Sequence, residues 1–251
     1  MNRLARWLGR YLDSPLKSYK AVSTHPPGLL SSILNPGDVL LVEGDTRISV
    51  AIKYLTQSTW SHAAIYVGNV FQESGEEAAV LIEADIEEGV IIVPLSKYEK
   101  MHTRICRPKN LSGSDNKKLI DFVVERIGHQ YDMKNIIDLV RYLLPTPPVP
   151  VSWRRRMIAL GSGDPTRAIC STLIAQAFQS ICYPILPEIE KHEGEGARNI
   201  EKEIMHIRHY SLFTPRDFDI SPYFEIIKPS IVSGFDYKNI NWSENFCSSK
   251  K

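Results

Sequence analysis

Cys170, His62 and Glu83 are the side chains in this 251-residue chain whose types and settings can do chemistry together. Cys170 follows the Gly/Asp/Pro segment 161–167 (GSGDPTR) and opens the apolar run 170–181 (CSTLIAQAFQSI), which reads as a helix. A thiol at a helix N-terminus feels the positive end of the dipole and the free N–H groups of the first turn. That setting favours the nucleophilic thiolate, and the same N–H groups can hold an oxyanion. A buried helical cysteine with no chemical role has the same pattern, and position alone does not separate the two. Cys106, within a strand, and Cys182, beyond the apolar helix, lack this setting.

A thiolate nucleophile needs a base. Of the seven histidines, His62 stands out because it opens the apolar strand 62–68 (HAAIYVG), directly after Ser61. Glu83 interrupts the apolar run Ala79-Val80-Leu81-Ile82. An ionised carboxylate in a buried strand costs several kcal/mol unless it is paired, so Glu83 asks for a partner. If strands 62–68 and 79–84 form a hairpin centred between Gln72 and Glu73, His62 faces Glu83. Direct cross-strand neighbours are about 4.5–5.5 Å apart at Cβ, close enough for a carboxylate to orient an imidazole. A one-residue slip would separate the pair. Nucleophile, base and orienting group together form the generalised triad, although spacing alone does not bring Cys170 to His62.

The elements that must position these groups follow from periodicity. Residues 38–42 (DVLLV), 62–68, 79–84, 89–95 (GVIIVPL) and 103–107 read as short consecutive antiparallel strands. Residues 46–57 have helical periodicity with a cap at Asp45 or Thr46. Residues 114–127 and 132–144 read as amphipathic helices, the second ended by the Pro145-Thr146-Pro147-Pro148 cluster. Segment 23–37 reads as a Pro/Gly-rich connector, 188–209 as a surface insertion or exposed helix, and 211–227 as a short helix and final strand. No clear element is expected after Pro229. At the start, Leu4, Trp7, Leu8, Tyr11 and Leu12 recur at helical spacing, with Arg3, Arg6 and Arg10 on the other face. Such a basic amphipathic helix packs on its own domain or lies on a membrane surface. The expected organisation is an N-terminal helical segment and connector over 1–34 and a catalytic domain over 35–251.

Composition bounds the function. The chain is 43% hydrophobic and 24% charged, as an ordinary globular protein is. A net charge of +1, from 30 basic and 29 acidic side chains, supplies no global field for nucleic acid. Four irregularly spaced cysteines without a CxxC argue against a disulfide scaffold or a thiolate zinc site. No apolar run approaches the roughly 20 residues of a membrane span, and the arginines break up any secretory signal. A cytoplasmic chain is expected. There is no GxxxxGK, GxGxxG or HExxH motif. His206 and His209, three apart, could share a helix face but lack a third ligand, so no metal and no cofactor are expected. The triplet Arg154-Arg155-Arg156 reads as a solvated face.

The segments Gly37-Asp38-Val39-Leu40, Ser61-His62-Ala63-Ala64-Ile65-Tyr66-Val67-Gly68, Ile82-Glu83-Ala84 with Gly89-Val90, and Cys170-Ser171-Thr172-Leu173-Ile174 resemble the permuted papain-like amidases. These form the YaeF/YiiX-like branch of the NlpC-type cysteine peptidase superfamily. The resemblance covers residues 35–225 and follows the family order of His, acidic residue, then Cys. It implies an α+β, circularly permuted papain-like (NlpC-like) fold, with an antiparallel sheet or half-barrel packed against helices that carry the nucleophile. It implies His62 as base, Glu83 as orienting acid and Cys170 as nucleophile. Gly128-His129-Gln130-Tyr131-Asp132 resembles the segment that supplies an active-site tyrosine, which makes Tyr131 a substrate contact or simply a tyrosine packed at a helix start. The implied activity is cysteine amidase or peptidase chemistry on a small-molecule, peptide or N-acylated amide. Two other readings stay open: an acyltransferase or lipid hydrolase of the lecithin:retinol acyltransferase type, with the N-terminal helix on a membrane surface, and a non-catalytic binding module on the same scaffold.

Overall fold

A four-residue strand explains the sheet. Val39, Leu40, Leu41 and Val42 are all buried, so this run has both faces covered and belongs at the centre of a sheet rather than on its rim. In the computed structural model, which describes residues 14, 23, 26, 28–70, 80–85, 88–130, 169–192, 202–206, 209–234, 236 and 238, that is where it lies. The elements in chain order are α1 (Leu29–Ile33), β1 (Val39–Val42), α2 (Arg47–Thr56), β2 (His62–Gly68), β3 (Val80–Asp85) and β4 (Gly89–Pro94). A 3-10 turn (Leu95–Tyr98), β5 (Thr103–Pro108), α3 (Gly113–Val124), α4 (Ile169–Ser180), β6 (Glu188–His192) and β7 (Lys202–His206) follow. A second 3-10 turn (Tyr210–Leu212), α5 (Pro215–Ile220), β8 (Phe224–Ile227) and α6 (Pro229–Val232) complete the order.

Among the described residues, six strands form one antiparallel sheet in the order β4-β3-β2-β1-β5-β8. The first four are consecutive neighbours, as expected. β5 instead returns to the far side of β1, pairing Val39 with Cys106 and Val42 with Thr103, and so makes β1 central. Alternate residues of the strands feed two apolar clusters, one on each face. On one face Val39, Leu41, Ala63, Ile65 and Ile82 pack with Leu119 and Val123 of α3, Leu173, Ile174 and Phe178 of α4, and Phe218 of α5. On the other, Leu40, Val42, Ala64, Tyr66 and Leu81 pack with Leu30, Leu34, Leu95 and Tyr98. The architecture is the expected α+β: an antiparallel sheet against helices.

Three expectations are corrected. The connector 23–37 contains α1, because Leu30 and Leu34 bury their side chains in the second cluster. The described residues of segment 188–209 form strands where a helix was one expectation: Glu188–His192 pairs with Lys202–His206 as a separate two-stranded ribbon. After Pro229 the chain makes the short helix α6, started by a proline in its first turn. The N-terminal amphipathic segment 1–12, the expected helix 132–144, Tyr131, Arg154, Arg155, Arg156 and the loop 161–167 lie outside the described residues. No helix among the described residues is long and apolar enough to cross a membrane.

Candidate active site

His62 is the first residue of β2 and pairs with Val42 at the end of β1. The two residues before it are pinned. The Ser61 N–H donates to the Val42 carbonyl at 3.1 Å, and its hydroxyl accepts from the Gly44 N–H at 2.9 Å. Trp60 is buried and donates its indole N–H to Asp219 of α5 at 3.0 Å. The backbone that presents His62 is therefore fixed from the sheet, from the loop after β1 and from α5.

Glu83 lies on β3, opposite Ile91 of β4. The hairpin register differs from the one the sequence suggested. Ile65 pairs with Ile82 and Tyr66 with Leu81, and the ladder shifts at a bulge between Tyr66 and Gly68. Continued toward His62, this register sets Ala64 opposite Glu83 and leaves His62 on the diagonal. The offset is two residues, an even number, so both side chains stay on one face. A diagonal neighbour is within reach of long side chains, and the Glu83 carboxylate lies 3.0 Å from His62 Nε2.

Two further residues, which the sequence reading missed, hold the same carboxylate. Both come from the 3-10 turn after β4. Lys97 Nζ donates to Glu83 Oε1 at 2.6 Å, and the Tyr98 hydroxyl donates to Oε2. Glu83 is 1% exposed, yet both its oxygens are engaged by donors. The partner that a buried charge demands was legible in the sequence. The identity of the additional partners was not, because a turn's direction is set by packing.

The nucleophile candidate comes from elsewhere in the chain. Cys170 sits in the first turn of α4, is buried and is a free thiol. Its neighbour Ser171, fully buried, donates its hydroxyl to the Phe213 carbonyl at 2.7 Å, which fixes how α4 is rotated against the second 3-10 turn. The Cys170 side chain lies near enough to the His62 imidazole to act on its charge. His62, Glu83 and Cys170 are thus brought together at one site.

The electrostatics follow from this arrangement. Burial alone would lower the His62 pKa, but the charges of Glu83 and Cys170 and the hydrogen bonds to them outweigh it, raising the value from 6.5 to about 10. Burial alone would raise Glu83; the His62 and Lys97 charges outweigh it and hold the carboxyl at about 2. Burial and the adjacent Glu83 push the Tyr98 phenol far above its ordinary 10, so it remains a donor. An imidazolium between a carboxylate and a sulfur can stabilise a thiolate and can later deliver a proton.

The other candidates separate from this site. Cys106 is buried in β5, and burial with nearby Asp219 pushes its thiol well above the ordinary range. Cys182 is exposed, beyond α4. His206 lies in β7, whereas His209 caps the second 3-10 turn, accepting from the Ser211 N–H at 3.3 Å; they share no helix. Among the described residues, no three His, Cys, Asp or Glu side chains are grouped so as to hold a metal ion.

No curated protein matches the chain. A crystal structure described as metalloprotein yiiX from Escherichia coli O157:H7 is similar at 18% identity, with a TM-score of 0.46, covering 77% of this chain and 96% of that one. The family match spans His62, Glu83, Lys97 and Tyr98 and ends ahead of Cys170. Residues 33–142 match the family of permuted papain-like amidase enzymes, YaeF/YiiX, C92, the family that the sequence motifs resemble.

Proposed function

We propose that the protein is a cysteine hydrolase that cleaves an amide bond through a thioester on Cys170. The observation that carries this reading is the contiguity of the Cys170 thiol, the His62 imidazole and the ionised, buried Glu83. The family match supports cysteine hydrolase chemistry in general.

In this reading His62 holds the proton of Cys170, and the two rest as a thiolate and an imidazolium. The sulfur attacks the carbonyl carbon, and the carbonyl electrons move onto oxygen. First-turn N–H groups of α4, which a helix leaves without intrahelical partners, stabilise that oxyanion. The tetrahedral species collapses, the C–N bond breaks, and the imidazolium gives its proton to the leaving amine. Water then attacks the thioester, His62 takes its proton, and the carboxylic acid leaves as the thiolate returns. Glu83 keeps the ring aligned and supports its charge at each stage. Substrates are peptides or N-acylated amides. Tyr131 is an added substrate contact in this proposal, and the catalytic unit is the segment 35–251.

The test is a panel of peptide amides and N-acyl amides, incubated with wild type and followed by intact-mass spectrometry. A substrate-derived acyl adduct on Cys170 that hydroxylamine removes, absent in Cys170→Ala, is the expected result. Transfer of the acyl group to an added amine or lipid in preference to water would replace hydrolase by acyltransferase. No adduct across the panel, together with a Cys170 whose alkylation ignores His62, would favour a binding module.

A further inference from the structure

Resting on that reading, we infer that Lys97 and Tyr98 are positioning residues that keep Glu83 ionised and fixed in one geometry throughout the catalytic cycle. In the proposed cycle the imidazole alternates between charged and neutral as its proton passes to the leaving amine and is regained from water. A buried carboxylate whose only cation was His62 would lose its counter-charge in each neutral interval. It would then draw a proton from its surroundings, and its hold on the ring would be lost with it.

The geometry avoids this. Lys97 engages Oε1, at 2.6 Å, while His62 is on Oε2, at 3.0 Å. The Lys97 ammonium therefore remains beside the carboxylate when the imidazole is neutral, and it stays out of the proton path because it sits on the opposite oxygen. Tyr98 donates to Oε2, the oxygen that also meets His62, and so sets the direction from which the carboxylate approaches the ring. Its ring lies 6.1 Å from the imidazole, centroid to centroid, and is buried in the second apolar cluster, which leaves it no freedom to swing away. Among the described residues, the charged and titratable groups around Glu83 are His62 from β2, Lys97 and Tyr98 from the 3-10 turn, and, beyond His62, Cys170 from α4. Asp85, on the same strand, acts on Tyr98.

Lys97 has 43% of its side-chain surface exposed, so replacing it leaves the core intact. The experiment measures the rate of Cys170 alkylation by iodoacetamide against pH, resolved by peptide mass spectrometry, in wild type, Lys97→Met, Lys97→Arg and Tyr98→Phe. Thermal melts of each variant establish that it is folded. Without the Lys97 charge, Glu83 protonates at higher pH and the imidazolium loses its counter-ion. Lys97→Met is therefore expected to move the acid limb of the profile upward by about one pH unit, a roughly tenfold slower reaction on that limb. Lys97→Arg, which keeps the charge, is expected to restore the limb. Tyr98→Phe is expected to broaden and lower the profile with the Lys97 charge still in place. A folded Lys97→Met with the wild-type limb would overturn the inference, as would an Arg variant no better than Met. These failures are distinct from failure of the hydrolase reading, in which wild-type Cys170 itself would show no His62-dependent reactivity.

Discussion

Glu83 concentrates the residue-scale argument, because a carboxylate buried in an apolar strand is tolerated only if its charge is used. Glu83→Gln keeps the shape and removes the charge. It is expected to lower turnover by roughly 10²–10⁴-fold, the range associated with a misaligned or unsupported general acid–base group. Stability follows by linkage. Glu83, depressed from 4.5 to about 2, adds stability that is present above pH 4.5 and lost as pH falls through 2. His62, raised from 6.5 to about 10, adds stability that is complete below pH 6.5 and lost as pH rises through 10. The pair therefore contributes fully between pH 4.5 and 6.5. In urea titrations the gap between wild type and Glu83→Gln is expected to be widest in that window and to narrow toward both extremes. A gap independent of pH would contradict the assigned charges. At this scale the sequence was informative: a strand-opening histidine, an acid in an apolar run and a cysteine at a helix start are each visible locally. Lys97 and Tyr98 were not, since nothing in Leu95-Ser96-Lys97-Tyr98 says which way a 3-10 turn will point.

At the scale of elements, the hairpin shows why periodicity succeeds where register fails. Side-chain parity placed His62 and Glu83 on one face, and the actual ladder preserves that parity while sliding by two residues. Loop length and a bulge set the slide, and neither has a signature in the strand pattern. The α1–β1 connection depends on another buried acid. Asp38, 1% exposed, accepts from both Nε and Nη2 of Arg107 at 2.9 and 2.7 Å and from the Asn35 N–H at 2.8 Å. Arg107 also donates to the Ile33 carbonyl, joining β5 to the end of α1. Arg107→Met strands the Asp38 charge and is expected to destabilise the fold by about 3–5 kcal/mol, read by urea or thermal unfolding. Gly89 opens β4 at a φ of 81°, and any Cβ there would collide with the His129 carbonyl. That carbonyl accepts from the Val90 N–H at 3.0 Å, so the turn after α3 is laid directly on β4. Gly89→Ala is expected to cost about 1–3 kcal/mol, through both strain and displacement of that turn.

At the scale of the whole molecule, the site exists only because α4 docks on the sheet. Phe178 of α4 is fully buried and meets Tyr183, Phe218 and Phe224 with ring centroids 5.4, 6.3 and 5.1 Å away. Phe178→Ala is expected to cost about 3–5 kcal/mol and to loosen the seat that holds Cys170 against His62. The strands and the apolar helix were legible because their burial is written in local patterns. The return of β5 to β1, the burial of α1 and the ribbon of β6 and β7 are decided by which surfaces meet, and short segments do not record that. The meeting of a helix at residue 170 with strands at residues 62 and 83 is the central claim, and one measurement addresses it most directly. Site-resolved iodoacetamide labelling of Cys170 across pH is compared between wild type and His62→Ala. Rapid labelling at about pH 6, where an ordinary thiol is protonated, that slows at least tenfold in His62→Ala is the result this account requires. Equal labelling in the two proteins, rising only at alkaline pH, would contradict it.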